Sequence, residues 1–421
     1  MKLKSLYAKV HGPKNLRSAW TTVYENGRAS KCKQTRDEVD LFQQKADTNL
    51  NRINRLLRQE KFTFPPSIGV PIPRPRKAPR PLVISTIESR IVQRAILNVL
   101  QDEKALDPYY KIPTSFGGIK GKGLGVPGAV KAAYNSIRNG AKYFICSDIE
   151  GFFTKVPKNI VLEKIKSVIT DQKFNDLIQE AVQTELENLD ELGKQADAFP
   201  IYEVGVAQGC CLSPIMGNIL LEEFDSKLND RGVICLRYID DFLILGPNKR
   251  KVVAAFESGK RILAEFGLSA YDPFKDKDKA EQGYIKSGFD FLGCEIRPGE
   301  IRPNPKSKER LLHSVSEILT KSKVAMDQPK HLLKKKLTLI ETLSVANNVM
   351  KGWGNQYSFC NDPVGLQNLD RKIDELLLDY WKFYSENQRK WDRIDDAVNS
   401  RRLLGVHVLE KDSKHDPIIK R

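Results

Sequence analysis

No two of the seven cysteines in this sequence stand at a C-x-x-C spacing, and five histidines are too few to make up for it, so a structural zinc site is not expected. The odd cysteine count and a beginning, MKLKSLYAKVHGPKNL, without the apolar stretch of a secretion signal point to a reducing, cytoplasmic setting. No apolar run approaches the length of a membrane span, so no membrane partner is expected. A Walker-type G-x-x-x-x-G-K-S/T is also missing. The stretch SFGGIKGKGLG, residues 115–125, has the glycines and lysines of a phosphate cradle without its spacing, and flexible turns account for it as well.

What is present is a chain of 421 residues with 40% hydrophobic and 29% charged residues, enough for two or three packed globular units. Lys and Arg outnumber Asp and Glu by 69 to 53. The resulting formal charge of +16 favours a polyanionic partner, although a basic protein without one carries the same footprint. Residues 1 to about 60 predict basic amphipathic helices with Leu41, Phe42, Leu50, Ile53, Leu56 and Leu57 at apolar positions. The segment PPSIGVPIPRPRKAPRPLVIS follows, with prolines from Pro65 to Pro81 that exclude helix and favour extended edge strands. TIESRIVQRAILNVLQ then predicts a helix capped by Thr86. The cations Arg74, Arg76, Lys77, Arg80 and Arg90 form either a solvated basic surface or a clamp for triphosphate and template, since guanidinium forks match phosphate oxygens.

Two acidic elements carry the chemistry. Tyr143–Cys146 is a short apolar run suited to a buried strand, and Asp148 stands where that strand would end. A carboxylate there is a cap, a turn residue or a metal ligand, and position alone does not choose. In VICLRYIDDFLILG, residues 233–246, two apolar arms flank Ile239-Asp240-Asp241 and predict a β-hairpin whose turn presents adjacent carboxylates. Arms this apolar imply a buried sheet, where crowded carboxylates repel each other and call for cations. Mg²⁺ suits such a site because it accepts a few Asp oxygens and completes its shell with water and phosphate. Two such ions roughly 4 Å apart promote in-line nucleotidyl transfer.

These residues sit in an order that resembles the bacterial reverse transcriptases, in particular their group II intron-like members. Asp148-Ile149-Glu150-Gly151-Phe152-Phe153 resembles the first catalytic motif, Gln208-Gly209-Cys210-Cys211-Leu212-Ser213-Pro214 the Q-G-x-x-x-S-P element, and Tyr238-Ile239-Asp240-Asp241 the Y-x-D-D box. Arg80-Pro81-Leu82, Arg90-Ile91-Val92-Gln93, Ser115-Phe116-Gly117 and Phe291-Leu292-Gly293 complete the series across about residues 76 to 296. The resemblance implies an α+β right-hand polymerase fold of fingers, a palm with an antiparallel sheet, and a helical thumb. It implies two Mg²⁺ ions, with Mn²⁺ as a substitute, held by Asp148, Asp240 and the Ile149 carbonyl, with Asp241 completing the pocket. By the same likeness Phe153 excludes a 2′-hydroxyl, Gln208 and Gly209 line the nucleotide and template, Lys77, Arg80 and Arg90 hold the triphosphate, and Tyr238 touches the primer end. A further lysine near the nucleotide is expected among Lys275, Lys277 and Lys279. Glu150, Thr154 and Ala207 depart from the group II pattern and leave the metal residues intact.

Beyond Pro305 the chain turns basic and helical and resembles a polymerase thumb, with Lys334, Lys335, Lys336 and Trp353 as candidate nucleic-acid contacts beside Arg76 of the proline-rich segment. The expected divisions are an N-terminal helical extension (1–75), fingers (76–140), palm (141–300, with a helical 155–204 that belongs partly to the fingers), thumb (301–385) and a short polar tail (386–421). A Val-Thr-Gly retron signature is missing, Gln-Gly stands where diversity-generating elements often have Ser-Gln, and the tail shows no His-Asn-His or paired cysteines. The chain is therefore similar in character to stand-alone, defence-associated reverse transcriptases, which implies a cognate non-coding RNA template, a primer, dNTPs and a cDNA product. A group II intron reverse transcriptase with maturase function, and a non-catalytic RNA-binding scaffold on the same fold, stay open beside it.

Overall fold

A computed structural model describes residues 5–30, 32–74, 77–119, 121, 123–201, 203–230, 232–393 and 397–406. The chain forms two compact units, residues 1–285 and 286–421.

In the first unit the proline-rich segment becomes a two-stranded antiparallel ribbon, β1 (Ile68–Arg74) and β2 (Lys77–Ile84), in which Pro71 lies opposite Pro81. Prolines cannot donate to a ladder, so they suit a ribbon rather than the middle of a wider sheet. Thr86 then caps the helix Ile87–Asp102 by accepting the Ser89 N–H at 3.2 Å, as its sequence predicts. The central sheet is four-stranded and antiparallel. Its order is β4 (Ile234–Tyr238), β5 (Asp241–Gly246), β3 (Tyr143–Asp148), β6 (Glu281–Tyr284). β5 is buried from Phe242 to Gly246, which is why its sequence is a continuous apolar run instead of an alternating one. The helices Gly125–Arg138 and Lys249–Glu265 pack on this sheet, the latter through Val252 beside Gly246 and Phe256 against Phe242.

The N-terminal helices Pro13–Arg28, Lys33–Gln44 and Ala46–Arg58 join the same core. Phe42, Leu50, Ile53 and Leu57 are buried and Leu56 is half-buried, but Leu41 is 68% exposed and is not a core position. Phe42 takes the inward place, its ring 4.4 Å from Trp20, and the adjacent residue on a helix points elsewhere.

The second unit pairs a three-stranded antiparallel sheet, β7 (Phe289–Phe291), β8 (Cys294–Arg297) and β9 (Glu300–Pro303), with helices that include Pro305–Ala325, Leu339–Gln356 and Pro363–Arg393. Leu311, Val315, Leu319, Ile373 and Tyr380 form a separate core there. Among the described residues no helix is long and apolar enough to cross a membrane.

Candidate active site at the acidic hairpin

The apolar arms of residues 233–246 pair as β4 and β5, with Tyr238 opposite Asp241, so Ile239 and Asp240 alone make the turn. A two-residue hairpin needs positive φ in the turn, usually supplied by Gly or Asn. Here Ile239 adopts φ +63, an uncommon conformation for a β-branched residue that costs on the order of 1–3 kcal/mol. The surroundings hold it there. Arg237, fully buried, donates from Nη1 to the Ile239 carbonyl at 2.9 Å and to Asn218 Oδ1 at 2.8 Å. Its Nε and Nη2 grip the buried Asp225 carboxylate at 2.8 and 2.6 Å. On the other side Gly117 lies so close that a Cβ would stand 2.7 Å from the Ile239 nitrogen. Asn218 closes the cage by donating to the Gly117 carbonyl at 2.9 Å.

β3 brings the third carboxylate to this turn. Asp148 ends the strand directly opposite Asp241, and the Ile149 N–H donates to the Asp240 carbonyl at 3.1 Å. The three acids therefore share one end of the sheet. Burial, then the charges of Asp240 and Asp241, push the Asp148 carboxyl up to about 7, with Lys279 pulling the other way. Burial and Asp240 push Asp241 up to about 6. Burial also raises Asp240, against hydrogen bonding and the charges of Arg80 and Arg237.

Asp148 Oδ1 is buried without a hydrogen-bond partner. The ladder bonds beside it use the Asp148 carbonyl and the Glu150 N–H, leaving the Ile149 carbonyl outside them. An orphaned carboxylate oxygen, acids raised by burial and, at Asp148 and Asp241, by neighbouring carboxylates, and an available carbonyl are the donor chemistry of a hard divalent cation. Among the described residues no group of three or more His, Cys, Asp or Glu is gathered closely enough to hold a metal ion by itself. Mg²⁺ bound through one or two carboxylates, with water and phosphates completing its shell, does not call for such a group.

The other residues expected at the site fall into groups. Arg80, exposed on β2, is close enough for its charge to act on Asp240. Of the three lysines in the segment 274–279, Lys279 is the one whose charge bears on Asp148, and its Nζ lies 5.0 Å over the Tyr271 ring. The Gln208 carbonyl accepts the Val83 N–H at 2.8 Å, and Gly209, at φ +115, has no room for a Cβ, which would meet the Val83 oxygen at 2.7 Å. That contact joins the Q-G turn to β2. Phe153 is half-buried in the short helix Phe152–Lys155, its ring 5.4 Å from Phe152, and its carbonyl accepts the Val206 N–H at 2.7 Å. Tyr238 is half-buried at the end of β4. Arg90 is not gathered with the acids. It faces a separate cavity beside Arg94 and the N-terminal helices. Arg76 and the side chain of Lys77 lie outside the described residues.

A family model described as reverse transcriptase (RNA-dependent DNA polymerase) matches residues 72–296. The chain belongs to the reverse transcriptase family. It is 28% identical over 184 residues to the COX1/OXI3 intron 1 protein of Saccharomyces cerevisiae, a match covering 43% of this chain and 20% of that protein. It is 23% identical over 275 residues to protein YkfC of Escherichia coli, covering 56% of this chain and 69% of the relative. Among solved structures, it is similar to a chain of a partial Cas6-RT-Cas1–Cas2 complex, at 22% identity and a TM-score of 0.36, over 63% of this chain and 43% of the other. The chain thus spans about a fifth of the length of the yeast intron protein.

In this reverse transcriptase-family fold, the second unit carries the remaining candidates. Lys334, Lys335 and Lys336 are exposed at the end of the helix Pro329–Lys335. Trp353 packs half-buried on the core of that unit, its ring 4.7 Å from Tyr357. The turn cage of Arg237, Asp225 and Asn218 was not anticipated from the sequence. Its signal is there in retrospect: one arginine inside the apolar strand ICLRY has to find a buried partner.

Proposed function

We propose that this chain is an RNA-directed DNA polymerase that extends a primer with deoxynucleotides by two-metal nucleotidyl transfer at Asp148, Asp240 and Asp241. The observation that carries the reading is the meeting of Asp148 with the Asp240-Asp241 turn at one end of a buried sheet, with Asp148 Oδ1 unpartnered. Asp148, Asp240 and the Ile149 carbonyl would hold the ions, and Asp241 would complete the acidic pocket. Bound Mg²⁺ supplies Lewis acidity that activates the primer hydroxyl and stabilises the leaving pyrophosphate.

The chain's own residues orient the substrates. Arg80 and Lys279 set positive charge beside the carboxylates, where a triphosphate needs it, and the motif likeness assigns the triphosphate to Lys77, at the start of β2, as well. Phe153, pinned by Phe152, excludes the ribose 2′-hydroxyl. Gln208 and Gly209 run along the nucleotide and template, and Tyr238 meets the primer end. Residues 76–140 act as fingers, 141–300 as palm and 301–385 as thumb, behind an N-terminal extension (1–75) and ahead of a tail (386–421). Lys334–Lys336, Arg76 and Trp353 are assigned to the nucleic acid.

The motif likeness to stand-alone bacterial reverse transcriptases favours a cognate non-coding RNA as template, in cytoplasmic antiphage defence. The likeness to the COX1/OXI3 intron proteins of Saccharomyces cerevisiae favours an intron RNA instead. Primer extension on an RNA template tests the chemistry: Asp240→Asn lowers the rate by about 10²–10³-fold or more, the scale of losing one preorganised electrostatic contact. Undiminished extension by that variant overturns the assignment. Sequencing the RNA that copurifies with the wild-type chain separates the two templates.

A further inference from the structure

Arg90 and Arg94 stand one turn apart on the helix Ile87–Asp102 and line the same cavity of about 250 Å³. Thr22, Asn26 and Thr35 from the first two long helices line it as well, and Gly209 closes it from the Q-G turn. Both arginines are half-buried, and the Nε of each is fully buried with no hydrogen-bond partner. The nearest recorded carboxylate, Glu38, lies 3.9 Å from Arg90 Nη2, beyond hydrogen-bond reach, and no ion pair to Arg94 is recorded among the described residues. Two guanidiniums on one helix face repel each other, and burial raises the cost of keeping both charged. Those Nε atoms are sealed from solvent, so a partner entering the cavity meets the Nη groups, for which no hydrogen bond is recorded among the described residues. Here the partner must be an anion that accepts from planar forks, and phosphate is the anion whose oxygens suit that geometry. The space is smaller than the roughly 300–1,000 Å³ clefts that take drug-sized ligands, so it suits one phosphate group rather than a whole nucleotide.

We infer that Arg90 and Arg94, with Thr22, Asn26 and Thr35 around them, form a phosphate-binding site apart from the acidic centre. The phosphate is either a phosphodiester of a bound RNA strand or free inorganic phosphate. The RNA source rests on the polymerase reading above; the site itself does not.

Two measurements on the full chain, made without dNTPs, test the site. The first is the melting temperature of the wild-type protein in inorganic phosphate against chloride at equal ionic strength, repeated with Arg94→Gln. The second is the affinity for a labelled single-stranded RNA across a salt series, for the wild type, Arg94→Gln and Arg94→Lys. A phosphodiester site gives Arg94→Gln a loss of about tenfold in RNA affinity, the worth of a charge-assisted hydrogen bond, and a salt slope shallower by about 0.7, with Arg94→Lys between the two. A free-phosphate site gives a phosphate-dependent rise in melting temperature that Arg94→Gln abolishes while RNA affinity holds. Either result supports the site. If phosphate does not raise the wild-type melting temperature and both variants keep wild-type RNA affinity and slope, the arginines are structural and the inference is overturned. Should Arg94→Gln fail to fold, the wild-type phosphate response and Arg94→Lys still decide. Because no polymerisation is measured, a negative result leaves the acidic centre untouched, and an inactive Asp240→Asn leaves this site untouched.

Discussion

The buried guanidinium of Arg237 holds the carbonyl of Ile239 at 2.9 Å, so an ion pair in the interior fixes the turn that displays Asp240. Removing one partner leaves the other charged, buried and alone. Arg237→Met is therefore expected to cost about 3–5 kcal/mol of stability, read by urea denaturation. Replacing both, Arg237→Met with Asp225→Leu, should recover most of that loss, because apolar groups can fill a space two paired charges occupied. Primer extension should stay low in the double variant, since nothing then secures the left-handed Ile239. Full activity in a stable double variant would release Arg237 from a positioning role.

The raised acids make stability depend on pH. Asp148, at about 7, and Asp241, at about 6, hold protons that the unfolded chain gives up near pH 4. Between about pH 4 and 7 the folded state binds more protons than the unfolded one, so metal-free stability falls as pH rises through that window. Divalent cations favour the ionised carboxylates, so their effect runs the opposite way. Melting temperatures in EDTA and in Mg²⁺ should differ little at about pH 5 and clearly at about pH 8, and the difference should shrink in Asp148→Asn. An Mg²⁺ response equal at both pH values would count against cation binding by these acids.

How much of this was legible depended on whether a signal was local. The hairpin, the proline ribbon and the Thr86 cap each follow from a few adjacent residues, and each is present. Asp240 and Asp241 could be singled out because their apolar arms had to be buried. Asp148 needed the register of β3 against β5, which pairing across the sheet decides and no run of residues encodes. The Arg237–Asp225 contact joins a strand to the helix Glu222–Asn229, and Lys279 is distinguished from Lys275 and Lys277 by the loop's path back to β6. Leu41 illustrates the remaining gap: two adjacent apolar residues on a helix compete for one inward place, and Phe42 takes it.

Phe153 provides a test of sugar choice. Its ring leans on the fully buried Phe152, which in turn fills the space over Gly217, where a Cβ would come within 2.6 Å of that ring. A side chain braced in this way can exclude a hydroxyl by steric bulk. Phe153→Ala should therefore raise ribonucleotide incorporation relative to deoxynucleotides by at least about tenfold, within the range one pocket contact can discriminate. The measurement is kcat/KM for each sugar on the same primer and template. An unchanged ratio would place the gate elsewhere.

Lys334, Lys335 and Lys336 project from the end of one short helix, and Lys336 takes φ +55, which ends the helix and keeps the three together at its C-terminus. Positive charge there complements the helix dipole, so the cluster is stable without any nucleic acid and its presence alone says little about binding. The distinguishing property is counterion release, which a merely structural cluster does not produce. If each lysine meets one phosphate of a single strand, replacing all three with Gln should flatten the slope of log affinity against log salt by roughly 2, at about 0.7 per contact. The loss should be uniform across RNA sequences, because phosphate contacts carry no base information. A weaker affinity with an unaltered slope would assign the effect to folding of the second unit, and circular dichroism of the triple variant would then show reduced helix content.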